Sequence, residues 1–363
     1  MLLSARTVVP YLLQQGALAA EAVVEGDVMV VEVPRRNRNY KVVRLQGHGL
    51  FVKQIASWDA VSIATLQREA ACYRLAASSA ELQQLAALLP RFGFYDPQRH
   101  VLVIELLTEG EDLAAYHRRR GQFPEAVAAR LGEALGGYHR HGRLPARADG
   151  FPRAVPWVLS FPEQAEVAGA LSPANRQLLD VLQRHAGFHA ALGELRAQWR
   201  PICLIHGDMK WDNCLVVPRS ADADEVEIKV VDWELADLGD PCWDVGAIFQ
   251  AYLAFWIFSM PMRQLPPARL LALAEHPLER MQPAIGAFWQ AYRRARELDA
   301  GAADATLQLS MRYAAARMIQ TAYEAMFQQP QLTPAMYLLL QMSLNVLTRP
   351  REAAQDLLAL QPT

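Results

Sequence analysis

The stretch that decides the fold is HGDMKWDN, at residues 206–213. Two segments rich in β-branched and apolar residues follow it, Cys214 to Val217 and Val226 to Val231, and a polar loop separates them. This pattern predicts two strands that pair as a hairpin. Because a hairpin returns the chain to the point where it began, Asp232 is expected to lie beside Asn213.

Three motifs occur in order along this part of the chain. Asp208 precedes Asn213 by five residues, which is the spacing of the catalytic aspartate and the metal-binding asparagine in a kinase catalytic loop. VDWE at 231–234 and GDPCWD at 239–244 follow. The set resembles the aminoglycoside phosphotransferase and choline kinase-like superfamily, and Trp-Glu in place of the Phe-Gly of protein kinases favours its metabolite kinases.

The resemblance implies a role for each matched residue. Asp208 would be the catalytic base, and Asp244 would brace the catalytic loop from the helix that follows. Asn213 and Asp232 would hold magnesium. Lys210 is assigned to the catalytic residues because its ammonium could neutralise charge on the transferring phosphate, and the alternative is a solvated lysine on a loop.

The periodicity of apolar residues predicts an α+β fold. From Asp112 onward the apolar steps of three and four residues indicate helices, one of them from Asn175 to Trp199. The resemblance implies a bilobal protein-kinase-like fold, with a small nucleotide-binding N-terminal lobe at 1–107 and a larger, mostly helical C-terminal lobe at 108–363 that carries the catalytic loop and the acceptor site. In the first lobe we expect strands at Val28–Val33, Tyr40–Leu45, Leu50–Ile55, Phe92–Tyr95 and Val101–Leu106, with a helix at Ala60–Ala77.

Lys53 and Glu69 form the predicted nucleotide half of the site. Lys53 is a lone lysine among apolar residues near the end of a predicted strand, similar to the strand-borne lysine that contacts the α- and β-phosphates in kinases. Such a lysine needs a carboxylate to orient it, and Glu69 lies on the helix that follows. The alternative is a strand-end lysine and an unrelated exposed glutamate.

The strand Val103 to Leu107 would run into the hinge, where backbone groups bind the adenine. The resemblance implies nucleotide contacts at Glu105 and Leu107 at the exit of this strand. Val103 itself is expected to be a core residue in either case.

The segment VPRRNRNYKV at 33–42 stands where the family has its glycine-containing phosphate loop, but it has no glycine. Arg35, Arg36 and Arg38 could contact phosphate through paired N–H donors. Asn37, which would hold the turn, is assigned to the nucleotide site with them. A solvated basic turn and the recognition of an anionic substrate are the alternatives.

Composition excludes several classes of partner. With 36 Lys and Arg against 38 Asp and Glu among 363 residues, no broad positive field exists to bind nucleic acid or an anionic membrane. The four cysteines have neither zinc-site nor disulfide-framework spacing. The first 20 residues fit an amphipathic helix better than a signal peptide. A cytoplasmic protein is therefore expected.

These observations predict a small-molecule kinase that transfers the γ-phosphate of a magnesium-bound nucleotide to a hydroxyl group, with ATP as the expected donor and GTP as the alternative. A nucleotide-binding regulatory module with little or no transferase activity is the other candidate, supported only by the arginine-rich loop. Arginines such as Arg293 and Arg294 in the helical region argue against a strongly acidic cleft for aminoglycosides. An uncharged or anionic acceptor is therefore favoured, and the sequence leaves the oligomeric state open.

Overall fold

The computed structural model describes residues 2–34, 36–78, 82–142, 150–160, 171–219, 225–261 and 267–361. Contacts between Cα atoms divide the chain into two compact units. The predicted division cuts the sequence once, after residue 107, whereas the first unit also contains the last residue of the HGDMKWDN motif and the segment that follows it. The units are Met1–Leu113, Arg147–Phe151 and Asn213–Ala236 for the first, and Ala114–Ala146, Pro152–Asp212 and Asp237–Thr363 for the second.

The first unit is built on an antiparallel sheet in the order β1-β2-β3-β5-β4. The same unit contains a small sheet, β6-β8-β9, and the second unit contains the strand pair β10-β7. The five strands predicted for the large sheet are all present. The strands are β1 Val28–Pro34, β2 Arg38–Arg44, β3 Gly49–Gln54, β4 Phe92–Asp96, β5 Val101–Leu106, β6 Glu111–Asp112, β7 Cys203–Ile205, β8 Cys214–Pro218, β9 Val226–Val230 and β10 Asp237–Gly239.

Helices make up most of the remainder of the described chain, and the α+β prediction is confirmed. None of the described helices is long and apolar enough to cross a membrane. The helices are α1 Val8–Gln14, α2 Ala20–Val24, α3 Ala60–Ser78, α4 Gln83–Leu88, α5 Leu113–Arg120, α6 Glu125–His141, α7 Trp157–Ser160, α8 Pro173–Arg184, α9 Ala186–Gln198, α10 Pro241–Phe258, α11 Pro267–Ala272, α12 Gln282–Ala295, α13 Ala300–Ala325, α14 Pro334–Thr348 and α15 Pro350–Asp356.

The helix predicted over Asn175 to Trp199 is wrong as one element, because it is divided into α8 and α9. His185 lies between the two helices with an extended backbone, at φ −95° and ψ 103°. Its imidazole Nδ1 accepts a hydrogen bond of 3.3 Å from the backbone N–H of Gly187, so the side chain caps the start of α9. The apolar steps continue through the break, which is why periodicity alone did not reveal it.

One face of the large sheet packs against the N-terminal helices. Val8 and Leu12 of α1 are fully buried against Val42, Val52 and Val103 of the sheet. Side chains alternate between the two faces of a strand, so Lys53, next to Val52, points to the opposite face. On β3, therefore, Val52 faces the core and Lys53 faces the other side of the sheet.

The second unit brings two pairs of helices into close contact through glycines. A Cβ atom on Gly132 of α6 would lie 2.2 Å from the carbonyl oxygen of Phe288 on α12. A Cβ atom on Gly246 of α10 would lie 2.6 Å from the carbonyl oxygen of Ser310 on α13. The contact at Gly246 fixes α13 against α10, the helix that begins within the GDPCWD motif.

Candidate active site

In the first unit, Lys53 lies among three carboxylates. Its Nζ is 2.6 Å from Oε2 of Glu69, donates a hydrogen bond to Oδ1 of Asp232, and is 4.0 Å from Oε2 of Glu234. The side chains of Lys53 and Glu69 are 9% and 2% exposed, so this ion pair is shielded from solvent. The predicted pairing of Lys53 with Glu69 is present in the structure, and their role in nucleotide binding stays a prediction.

The secondary structure explains how this ion pair forms. Lys53 is held in the centre of the sheet, opposite Asn39 of β2 and Leu102 of β5. Burial alone would lower the pKa of Lys53, but the surrounding carboxylates outweigh it and raise the pKa above its ordinary value. Burial raises the pKa of Glu69, and the ammonium of Lys53 opposes that rise. The lysine therefore stays cationic at neutral pH.

The predicted hairpin is confirmed. β8 and β9 pair antiparallel, with Cys214 opposite Val230. The backbone N–H of Val231 donates a 2.9 Å hydrogen bond to the carbonyl oxygen of Asn213, and this bond brings the chain back to Asn213 just before Asp232. The loop residues 220–224 of this hairpin lie outside the described residues.

Asp232 has a left-handed backbone, with φ +66° and ψ +54°. This conformation is uncommon for a residue other than glycine, and such residues are concentrated at functional sites. The indole of Trp233, the next residue, is fully buried and donates a 2.9 Å hydrogen bond to the carbonyl oxygen of Val230. The anchored tryptophan fixes the turn in which Asp232 is placed.

The glycine-free turn between β1 and β2 contacts Glu234, one of the three carboxylates that surround Lys53. Asn37, 5% exposed, donates from Nδ2 to Oε2 of Glu234 at 3.5 Å, and Arg36 lies 3.4 Å from Oε1 of the same residue. Arg38 donates to the carbonyl oxygen of Leu3. Arg35 lies outside the described residues. Phosphate contact by Arg36 and nucleotide binding by Asn37 stay predictions.

The strand exit at Glu105 and Leu107 restricts which backbone groups a nucleotide can use. The N–H of Glu105 already donates to the carbonyl oxygen of Arg91 at 2.9 Å, and its carboxylate pairs with the Arg91 guanidinium at 3.1 Å. The carbonyl oxygen of Leu107 accepts from the N–H of Gly110 at 3.1 Å. The nucleotide contact predicted for Glu105, if made by the backbone, would therefore use the carbonyl group.

In the second unit, Asp244 holds the start of the HGDMKWDN segment. It is fully buried at the start of α10, and its Oδ2 accepts from the N–H of His206 at 2.7 Å while Oδ1 accepts from the N–H of Gly207 at 3.1 Å. The N–H of Asp208 bonds to Nδ1 of His206 at 3.2 Å. His206 thus orients the loop by hydrogen bonding.

Two cations flank the carboxylate of Asp208. Lys210 lies 2.7 Å from its Oδ2, and Arg317, on α13, lies 2.9 Å from its Oδ1. Burial alone would raise the pKa of Asp208, but the two cations hold it well below its ordinary value. Asp208 is therefore ionised at neutral pH and can accept a proton from a hydroxyl group. Lys210 thus contacts the carboxylate of Asp208, and its catalytic role stays a prediction.

Arg317 and Glu234 are the site residues that the sequence reasoning missed. Arg317 is 109 residues from Asp208, so no local motif could connect them. A signal was present, since Arg317 follows three alanines and precedes Met318 and Ile319. A single arginine in an apolar stretch of a helix indicates a buried charge that needs a partner.

Known proteins resemble this chain in sequence and in fold. The sequence profile of the phosphotransferase enzyme family matches residues 28–298. None of the curated proteins matches the chain.

Three solved structures show the same arrangement of elements at low identity. An aminoglycoside 2'-phosphotransferase-IIIa, solved with GDP, is 13% identical over 94% of this chain and 99% of its own, with a TM-score of 0.54. An ethanolamine kinase of Plasmodium vivax is 12% identical over 93% and 85%, with a TM-score of 0.53. An amicoumacin kinase, solved with AMP-PNP and Ca²⁺, is 14% identical over 94% of each chain, with a TM-score of 0.50. The protein-kinase-like fold predicted from the sequence is thereby confirmed.

Proposed function

Because the chain belongs to the phosphotransferase enzyme family, we propose that it transfers the γ-phosphate of magnesium-bound ATP to a hydroxyl group of a small molecule. It is an enzyme of the alcohol-acceptor phosphotransferase class. The observation that carries the proposal is the position of Lys53, which is bonded to both Glu69 and Asp232. A buried lysine fixed by a carboxylate on a helix, and in contact with a metal-binding aspartate, is the arrangement that kinases use on nucleotide phosphates.

The residues proposed to hold magnesium fit that ion. Asp232 and Asn213 offer carboxylate and amide oxygens, which Mg²⁺ prefers. The Asp232 side chain is 38% exposed, against 9% for its neighbour Lys53, so a cation from solvent can reach it. Bound magnesium would neutralise charge on the phosphate oxygens. Lys53 would bind the phosphates, and Asn37 and the backbone at Glu105 and Leu107 would complete the nucleotide site.

Asp208 and Lys210 would act on the acceptor and on the transferring group. The ionised carboxylate of Asp208 would position the acceptor hydroxyl and take its proton as the new bond to phosphorus forms. The Lys210 ammonium, whose side chain is 38% exposed, would compensate charge on the phosphoryl oxygens. Both roles depend on the fixed loop, because a carboxylate that is displaced by about 1 Å loses most of its effect.

The charges near Asp208 favour an acceptor without strong positive charge. Lys210 and Arg317 contact Asp208. Burial alone would lower the pKa of Lys210, but Asp208 and the nearby carboxylate of Glu324 raise it above its ordinary value. Among these described groups, two cations balance two carboxylates. No excess of negative charge is present there to attract a polycation. We therefore propose an uncharged or anionic hydroxyl compound as the acceptor.

The nucleotide half of the proposal is tested by thermal unfolding with ATP or GTP, each with and without Mg²⁺. We expect a magnesium-dependent rise of several degrees at saturating nucleotide, since ligand at about 100 times its Kd adds about 2.7 kcal/mol. K53M should abolish the rise. K229M is the matched control, because Lys229 bonds to Glu227 and to the carbonyl oxygen of Ala87, away from these carboxylates. If neither nucleotide gives a magnesium-dependent rise, the proposal is wrong.

The acceptor half is tested by release of the nucleoside diphosphate in the presence of a panel of hydroxyl compounds. Amino alcohols, neutral sugars, sugar acids and natural products with free hydroxyl groups would be compared under the same conditions. We expect neutral or anionic compounds to stimulate release more than polycationic aminoglycosides. Strong stimulation by an aminoglycoside alone would contradict the proposed acceptor class while leaving the kinase activity established.

A further inference from the structure

Arg317 is a buried cation whose contacts converge on the HGDMKWDN segment. It is 3% exposed. Its guanidinium donates from one terminal nitrogen to Oδ1 of Asp208 at 2.9 Å and from the other to the carbonyl oxygen of Gly207 at 3.3 Å. The same group lies over the ring of Trp243, 5.5 Å from its centroid. These contacts hold the guanidinium plane in one orientation.

Further contacts along α13 support this orientation. Gln320, one turn after Arg317, accepts a hydrogen bond of 3.2 Å from the guanidinium at its side-chain oxygen. Its side-chain nitrogen donates to Oε1 of Glu324 at 2.9 Å. Trp243 donates from its indole to the carbonyl oxygen of Gly207 at 3.0 Å, beside the bond from Arg317. The guanidinium is therefore fixed by several independent partners.

The two oxygens of Asp208 are held in different ways. Oδ1 faces Arg317, whose side chain is 4% exposed, whereas Oδ2 faces Lys210, whose side chain is 38% exposed. A buried planar guanidinium bound to a carboxylate is a rigid contact. A partly exposed lysine on a flexible four-carbon stem can leave its partner at low cost. Of these two contacts, the one on Oδ1 is therefore the more rigid.

From this asymmetry we propose that Arg317 is a positioning residue that fixes the Asp208 carboxylate through Oδ1, in the orientation in which it receives the proton of the acceptor hydroxyl. The inference rests on the proposed function. In the transfer, the acceptor oxygen forms the bond to the γ-phosphorus, and the bond from that phosphorus to the nucleoside diphosphate breaks, with its electron pair leaving on the diphosphate. The hydroxyl proton moves to the carboxylate of Asp208.

The test uses hydrolysis of the magnesium nucleotide, with water as the acceptor, so that no acceptor needs to be known. R317M removes the charge at similar length, and R317K keeps a charge without the planar fork. R312M is the matched control: Arg312 is on the same helix and pairs with Glu194 at 2.7 Å. We expect R317M to lower kcat by about 100-fold, the effect of a misplaced reacting group, with the nucleotide KM within about threefold of the parent. R317K should recover part of this loss, and R312M should equal the parent.

Thermal unfolding of R317M, of D208N and of the double variant R317M/D208N measures whether Arg317 acts through Asp208. If Arg317 acts through Asp208, R317M should lower the midpoint less in the D208N background than in the parent. A kcat of R317M within threefold of the parent would overturn the inference. A loss of kcat accompanied by an equal rise in KM, with the same midpoint loss in both backgrounds, would overturn it as well. A parent without any nucleotide turnover would refute the proposed function, and the inference with it.

Discussion

Replacing Asp244 by Asn should loosen the loop that carries Asp208. In the parent, the fully buried carboxylate accepts from the N–H groups of both His206 and Gly207. Asn has one side-chain oxygen and one NH₂ group, so one of these two buried N–H groups would lose its acceptor and face another donor.

The magnitude follows from these two bonds. A hydrogen bond to a charged group contributes about 1.5–3 kcal/mol, and a buried unsatisfied donor costs about 1–3 kcal/mol. We therefore expect D244N to lower the free energy of unfolding by about 3 kcal/mol. In a unit of about 220 residues, this corresponds to a fall in Tm of about 6–12 °C.

Calorimetry and amide hydrogen exchange would measure the two consequences separately. Exchange should accelerate at His206 and Gly207 in D244N. D299N is the matched control, because Asp299 makes a single exposed cap contact with the N–H of Ala302 at 2.8 Å, and Asn is an equally good cap. An unchanged Tm together with unchanged exchange at both amides would refute the assigned role of Asp244.

Three further perturbations give distinct expected results. E69Q should weaken binding of the magnesium nucleotide by about 10- to 100-fold, because Lys53 loses a charge-assisted partner worth about 1.5–3 kcal/mol. Calorimetric titration would measure this change, and a Kd equal to that of the parent would contradict it. G207A should cost about 1–2 kcal/mol because Gly207 has φ +78°, and it should reduce turnover more than tenfold; G16A, at φ +67°, should match the cost without the loss of turnover. Burial lowers the pKa of His117 from its ordinary 6.5 to about 4. As the pH falls, the unfolded chain therefore binds a proton before the folded chain does, and the free energy of unfolding decreases between about pH 6.5 and pH 4. Urea unfolding should show the parent losing about 2 kcal/mol more than H117N between pH 7.5 and pH 5, and parallel pH profiles would refute it.

The local parts of the site were predictable from the sequence because their geometry is set by short segments. The hairpin that returns the chain from Asn213 to Asp232 needs only two apolar strands and a polar loop between them. Lys53 and Glu69 are brought together by a strand and the helix that follows it. In each case, backbone periodicity determines where the side chain points.

The parts that were missed depend on individual side-chain contacts, most of them between distant segments. Arg317 reaches Asp208 only because α13 packs on α10, and that packing depends on a glycine at 246 that lets the backbones approach. The break at His185 depends on one side-chain cap rather than on periodicity. Glu234 was read as a departure from the protein-kinase motif, and its contacts with Asn37 and Arg36 become visible only when the turn between β1 and β2 is placed.

The central claim is that Asp208 acts in phosphoryl transfer after the nucleotide has bound, and the most direct test compares the parent with D208N. At saturating magnesium nucleotide, both proteins should show the same magnesium-dependent thermal shift, since nucleotide binding is assigned to other residues. Release of the nucleoside diphosphate should be about 100- to 10,000-fold slower in D208N, the usual contribution of a positioned base. Equal rates of release in the two proteins would contradict the account.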